Sequence, residues 1–401
     1  MFGAAPKELP QKLAFLLVPN FSMIAFTSAV EPLRLANRAS GKELYSWHLF
    51  SADGKPVAAS NGITITPDGR VDDAAGFGTV ILCSGIDGHL FEDRNVFAQL
   101  RKLDRKGADV GALCTGSHIL ARAGLLDGYR CTIHWENLAG FAESFPHIEA
   151  TSELFEIDRN RFTCSGGTAS LDMMLNMIAR QHGHELAANV SDQFMHERIR
   201  DEHDQQRMAL PARLGVRHPK LMSVIKLMEE NLEEPLDRGK LAKSAGLSSR
   251  QLERLFRKYL NRSPARYYVE LRLNRARLLL LQTNMPVIDV ALACGFVSAS
   301  HFSKCYRDFF GKTPRRERTR QRRLAPAGIA DHRDPLHALP SRHGPPSMAR
   351  TNAPAHTPLH GADRCDCSPP HCDQAHRPCS PSRDYDTFTL RPTIQLRPCG
   401  R

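Results

Sequence analysis

The chain has 401 residues, of which 41% are apolar, and a formal net charge of +11. That length accommodates two or three domains with ordinary apolar cores. The positive charge is local: residues 216–323 hold 24 Lys and Arg against 10 Asp and Glu, residues 1–215 hold 21 against 26, and residues 324–401 hold 9 against 7. One basic segment of this kind points to a polyanion, most often nucleic acid, with a solvated basic face as the alternative.

Met1–Lys12 carries no apolar core ahead of a small-residue cleavage site, and the run Leu13–Val18 is only six residues long. No stretch approaches the roughly 18 apolar residues of a membrane span. Six cysteines are scattered through the first 305 residues without a C-x-x-C pair. Reduced thiols, a cytoplasmic location and no membrane partner are therefore expected.

In chain order, Leu13–Val18 reads as a buried strand and Phe21–Asn37 as a helix. Short apolar runs at Trp47–Ser51, Thr79–Cys83 and Asp109–Leu113 alternate with helical spacings at Asn95–Lys106, Ser117–Ala123 and Trp135–Ser144. That alternation predicts an α/β domain, a largely parallel sheet covered on both faces. Phe162–Cys164 and Gly166-Gly167 precede a helical pattern over Thr168–Gln181, and another runs from Glu185 to about Arg200. Residues 201–215, polar and holding Pro211, read as a linker.

From Pro219 to Phe310 the pattern is all helix, punctuated by Gly246, Pro264, Pro286 and Gly295. Beyond Arg323 lie 13 of the 26 prolines, with almost no apolar periodicity, so residues 324–401 are expected to be a disordered tail. Cys365, Cys367, Cys372, Cys379 and Cys399 fall there beside His360, His371 and His376, but their spacing is not that of a zinc finger. Neither a metal site nor a cofactor is expected.

The basic segment contains an internal repeat. Leu241–Leu247 matches Val290–Phe296 at an offset of 49, and Leu252, Leu255, Phe256, Arg257 and Tyr259 match Phe302, Cys305, Tyr306, Arg307 and Phe309 at an offset of 50. Ser263-Pro264 and Thr313-Pro314 close the two units. In each, a small residue (Ala242, Ala291) permits a close helix crossing, and a glycine (Gly246, Gly295) suits a left-handed turn. Ser248 or Ser249 in one unit, and Ser298 in the other, can cap the helix that follows.

The packed side of that helix leaves Ser249, Arg250, Gln251, Arg254 and Arg257 facing outward in the first unit. The second unit leaves Ser298, Ser300, His301, Ser303, Lys304 and Arg307. A recognition helix needs such a face: polar side chains near its N-terminus reach base edges, and Arg and Lys grip phosphates. Ala265–Gln282, an Arg-rich stretch about 27 Å long if helical, could set the two units in successive major grooves of double-stranded DNA. A structural bundle with a wet basic face is the alternative, and two repeats in register weigh against it.

Residues 219–316, through LAKSAGLSSRQLERLFRKYLNRSPARYY and PVIDVALACGFVSASHFSKCYRDFFGKTPRR, resemble the AraC/XylS-type DNA-binding domain. The resemblance implies two helix-turn-helix subdomains on a linker helix, binding to operator repeats, and contact with RNA polymerase to activate transcription.

In the first half, Val110–Ser117 reads as a buried strand, a residue with a nucleophilic atom (Cys114), and a helix start. That is the arrangement of a nucleophile elbow, with His134 downstream as a possible base. Residues 13–200 resemble the DJ-1/PfpI superfamily, flavodoxin-like and related to class I glutamine amidotransferases. The Cys-Thr-Gly sequence looks like the elbow of isocyanide hydratases there, which pair the Cys with an Asp after the first strand. Ala25 stands at that position here, which weakens a Cys114-dependent hydrolase or hydratase reading and favours a non-enzymatic sensor.

In the sensor reading Glu31, Cys114, Thr115, His134 and Trp135 line an inherited pocket at the strand ends. A carboxylate with an indole face suits a cationic amine; plain core packing is the alternative for Trp135. The whole is similar to GlxA-type regulators. The segments AFTSAVEPLRLAN, GALCTGSHILARAGLLDGY with HWENLAGF, and DRNRFTCSGGTASLDMMLNMIARQHG resemble regulators of glycine betaine and carnitine catabolism. Dimethylglycine- and arginine-responsive relatives would look alike. The resemblance also implies a homodimer.

Overall fold

The computed structural model describes residues 2–6 and 8–318. The tail 324–401, with its cysteines and histidines, lies outside the described residues. Gln11–Leu17 is the central strand of a seven-stranded sheet. It pairs in parallel with Tyr45–Ser51 on one side and Thr79–Cys83 on the other, with Leu13 opposite both Trp47 and Thr79. Gly69–Arg70 closes one edge; towards the other lie Asp109–Leu113, Arg161–Cys164 and the antiparallel edge strand Phe155–Asp158.

The apolar run has no hydrophobic–polar alternation because both faces of the sheet are covered. Leu13, Phe15 and Leu17 join a core with the helices Met23–Ser40, Ala169–His182 and His184–Gln193. Ala14, Leu16 and Val18 join the opposite core, with Arg94–Arg105 and Gly116–Arg122.

Three segments differ from the sequence pattern. The helix expected to run to about Arg200 ends at Gln193; Met195 takes a φ of +52° and the chain turns back, bringing His196 and Arg200 to the buried Asp172. The helix expected from Trp135 begins at Leu138, and His134–Asn137 is a turn closed by the Asn137 N–H on the His134 carbonyl. Residues 201–209 run along the α/β domain instead of crossing open solvent: Glu202 O accepts from the Leu154 N–H at 2.8 Å, and the Gln206 amide bonds the Glu153 carbonyl at 2.8 Å.

Beyond the short helix Leu210–Leu214, Pro219–Glu230, Arg238–Ser244 and Ser249–Leu260 close around Leu221, Ile225, Leu241 and Phe256. Val287–Ala293 and Ala299–Phe310 close around Val290, Phe296, Phe302 and Tyr306. The helix Pro264–Gln282 joins the two. Tyr267 and Tyr268 belong to the first core; Leu273, Ala276, Leu279 and Leu280 belong to the second.

Candidate DNA interface and effector site

Each repeat folds as two helices around one left-handed glycine. Gly246 and Gly295 have φ of +60° and +71°. The next residue turns back onto the helix just left, Leu247 N–H to the Ala242 carbonyl at 2.9 Å and Phe296 N–H to the Ala291 carbonyl at 2.8 Å. Gly295 is also sterically required, since a Cβ there would sit 2.7 Å from the carbonyl oxygens of Leu232 and Glu233.

Ser248 accepts from the Gln251 N–H while the Gln251 side chain accepts from the Ser248 N–H, a reciprocal capping box. Ser298 accepts from the His301 N–H in the same role. Residues 251–260 and 301–310 have one burial pattern position for position, with Leu252 and Phe256 buried like Phe302 and Tyr306. Arg250, Gln251, Arg254 and Arg257 are exposed on one helix; Ser300, His301, Lys304 and Arg307 are exposed on the other, with Ser249 and Ser303 half-buried. Arg257 leans on Glu253 at 3.1 Å and His301 on Cys305 at 3.3 Å.

The one residue by which the second unit exceeds the first is Val297. It is 96% exposed, immediately before the Ser298 cap. Several arginines of the connecting helix serve the fold. Arg272 donates to the carbonyls of Cys294 and Gly295 at 2.7 and 2.6 Å and covers the Phe296 ring, and Arg277 pairs with Glu317.

In the α/β domain, Cys114 follows the strand Asp109–Leu113 at a φ of +60°, ahead of the helix Gly116–Arg122: the elbow geometry. Gly166 lies against it, where a Cβ would be 2.7 Å from that of Cys114. Burial pushes the Cys114 thiol up to about 12, against the lesser pull of the Thr115 N–H. Desolvation lowers His134 to about 4. Both are neutral near pH 7, a thiol beside an imidazole rather than an activated pair. Ala25 is buried in the core and supplies no acid.

Next to the elbow is a cavity of about 200 Å³, lined by His134, Trp135, Leu154, Ser165, Gly166, Gly167, Thr168, Ala169, Arg200 and Gln206. A larger, open cleft of about 320 Å³ lies between helices around Leu35 and Asn189, away from the strand ends where α/β ligands bind. Of the residues expected from sequence, His134 and Trp135 line the smaller cavity, and Cys114 stands behind Gly166. Thr115 is 5% exposed and spends its hydroxyl on Gly85 O and Ser84. Glu31 pairs with Arg34 at 2.5 Å on the exposed side of its helix, outside the cavity lining.

Arg200 and Gln206 escape sequence reasoning. Asp172, wholly buried, receives the Arg200 backbone N–H at 2.7 Å, its guanidinium at 2.6 and 2.9 Å, and His196 at 2.8 Å. The available signal is Asp172 itself: a carboxylate inside the apolar run Leu171–Leu175 must find a cation.

An α/β domain with a strand-end cavity, joined to two helix-turn-helix units with exposed basic recognition helices, defines a ligand-responsive DNA-binding regulator. Residues 11–180 match the DJ-1/PfpI family and residues 241–320 a helix-turn-helix domain family. The HTH-type transcriptional regulator GbdR of Pseudomonas aeruginosa is 55% identical over 320 residues, 80% of this chain and 87% of the relative. The regulator CdhR of the same organism is 46% identical over 82% of this chain and 98% of its own length. GlxA of Rhizobium meliloti is 38% identical over 78% and 97%. The chain belongs to this family of transcriptional regulators that join a DJ-1/PfpI domain to an AraC-type helix-turn-helix domain. It is a DNA-binding regulator and not an enzyme.

Proposed function

We infer that the chain activates transcription in response to a small zwitterionic amine that enters the cavity beside Cys114. The glycine betaine, dimethylglycine, carnitine and arginine class fits. The observation that carries this is the lining: the Trp135 indole suits a methylated or protonated nitrogen. Arg200, held by Asp172, suits a carboxylate. At about 30 Å³ per water, the cavity holds the equivalent of roughly seven waters, the size of a metabolite and far below that of a nucleotide.

The DNA contacts in this reading are Ser249, Arg250, Gln251, Arg254 and Arg257 in one groove, and Ser298, Ser300, His301, Ser303, Lys304 and Arg307 in the next. The protein acts in the cytoplasm on the nucleoid, as a homodimer that contacts RNA polymerase. Among the described residues no helix is long and apolar enough to cross a membrane.

The test is a thermal-shift screen of the full chain against these amines, with promoter footprinting at each. A dose-dependent rise with one amine names the effector, because a ligand that binds the folded state stabilises it. No rise with any of them removes the amine class and leaves the DNA-binding role standing.

A further inference from the structure

The indole face of Trp135 is already covered. The Arg207 guanidinium lies 4.2 Å from its ring centroid, well inside the range of a cation–π contact. Arg207 is exposed, and among the described residues it forms no salt bridge to any carboxylate. Its neighbour Gln206 is pinned from its amide nitrogen to Thr132 Oγ1 at 3.0 Å and to the carbonyls of Ile133 and Glu153 at 3.1 and 2.8 Å. Gln206 also lines the cavity, and its Oε1 is buried with no hydrogen-bond partner. Six residues beyond Arg207, Arg213 pairs at 2.8 Å with Glu229, on the first helix of the first helix-turn-helix unit.

One short segment therefore touches the cavity wall at one end and the DNA-binding region at the other. We propose that Arg207 is a tethered occupant of the Trp135 face, that a cationic effector displaces it, and that the freed segment 206–213 carries the signal to the first helix-turn-helix unit. This rests on the reading of the cavity as an amine site.

The chemistry favours exchange. Arg207 sits over the ring at an exposed position, where a cation–π contact is weakest, whereas a ligand cation held within the cavity is more desolvated and gains more. The unpartnered Gln206 oxygen offers an acceptor to a ligand N–H. A protein whose competent state is masked binds with an affinity reduced by the open fraction, so removing Arg207 must raise affinity.

The experiment uses the full chain with Arg207→Gln, Arg207→Lys and Trp135→Leu. Tetramethylammonium chloride and glycine betaine are the probes, with sodium chloride at matched ionic strength as control. Binding is read by quenching of Trp135, the other tryptophan (Trp47) being replaced by Phe, and by thermal shift for Trp135→Leu. Mobility of residues 202–213 is read by hydrogen exchange. The expected result is that Arg207→Gln binds a probe roughly three- to thirtyfold more tightly than the parent. Arg207→Lys should fall between, and Trp135→Leu should lose binding. Exchange over 202–213 should rise on adding the probe to the parent and be high in Arg207→Gln from the start. Equal affinities for parent and Arg207→Gln, with Trp135→Leu still inactive, overturn the tethered occupant and leave the amine site intact. Binding of neither probe to Arg207→Gln overturns the amine site and this proposal together.

Discussion

The Gln282 side chain donates to the Glu136 carbonyl at 3.0 Å, so the last residue of the helix joining the two helix-turn-helix units is fastened to the residue following Trp135. Gly140 lies under the same side chain: a Cβ there would be 2.8 Å from Gln282 Oε1 and 3.1 Å from its Cβ. Ala139 packs against the core of the second unit. The segment 134–140 thus has the cavity on one side and the connecting helix on the other.

Gly140→Val should break this docking without touching either core. Alanine would need only the flexible end of Gln282 to shift, but valine adds branched bulk against a helix. The expected outcome in calorimetry is one transition resolving into two as the α/β domain and the helical region uncouple. Gln282→Ala, which deletes one hydrogen bond, should cost about 1 kcal/mol and keep a single transition. Retention of one transition in Gly140→Val would mean that the contact transmits no stability.

Asp172 is the most demanding polar residue of the α/β domain. Asp172→Ala leaves Arg200 without its carboxylate at the cavity wall and strands the His196 turn. Removing one partner of a buried pair costs about 3–5 kcal/mol, and the lower end applies because Arg200 keeps a quarter of its side-chain surface in water. Urea denaturation reads the loss. Arg200→Met, which removes the cation and keeps much of the stem, should lose effector response while DNA binding persists.

Two histidines set the acid limb of stability. Desolvation lowers His134 to about 4 and, as the largest cause, lowers His118 to about 3, both from 6.5. The unfolded chain therefore binds more protons than the folded one below pH 6.5. Stability is intact above that pH and falls as pH drops from 6.5 towards 4 and 3, by about 1.4 kcal/mol per pKa unit for each group while it remains buried. His118 packs edge-on against Phe141 with ring centroids 5.1 Å apart and is 2% exposed. His118→Phe keeps the aromatic contact and removes the titration, so its stability curve between pH 6.5 and 4 should be flatter than the parent's. An unchanged curve would assign the acid limb elsewhere.

Much of the frame is legible in the sequence, because burial on both faces forces unbroken apolar runs. Thr79–Cys83 and Asp109–Leu113 can be read residue for residue. The antiparallel edge Phe155–Asp158 is not: its pattern is half polar, and only its pairing with Arg161–Cys164 defines it. The recognition helices are legible through their repeat. The cavity is legible in part. His134 and Trp135 sit beside a recognisable elbow, but Arg200, Gln206 and Arg207 arrive from a polar stretch whose path is fixed by Asp172 and Glu153, contacts that no local periodicity encodes. Glu31 has the right charge in the right helix, yet its nearest cation is Arg34 one turn on.

Cys114 should behave as a quiet thiol. With its pKa pushed up to about 12, its thiolate fraction at pH 8 is far below that of a free cysteine, near 8.5. Iodoacetamide should label it more slowly than glutathione, and Cys114→Ser should bind DNA like the parent. Rapid labelling at neutral pH would restore the hydrolase reading that Ala25 speaks against.

Val297 makes the most specific claim on DNA sequence. The turn into the second recognition helix is one residue longer than the first, and that extra residue is a branched apolar side chain held 96% in water. Exposed valine at the N-terminal end of a recognition helix is poorly suited to phosphate and well suited to the thymine methyl group, the one apolar feature of a base-pair edge in the major groove. Once footprinting has located the operator, replacing its thymines by uracil one at a time deletes single methyl groups. One position should weaken the parent by about fourfold, the worth of one buried methyl group. Val297→Ser should show that weakening already on thymine DNA, and no further loss with uracil. If every single replacement leaves parent binding unchanged, Val297 does not read a thymine methyl, and the longer turn serves only to place Ser298 over its helix.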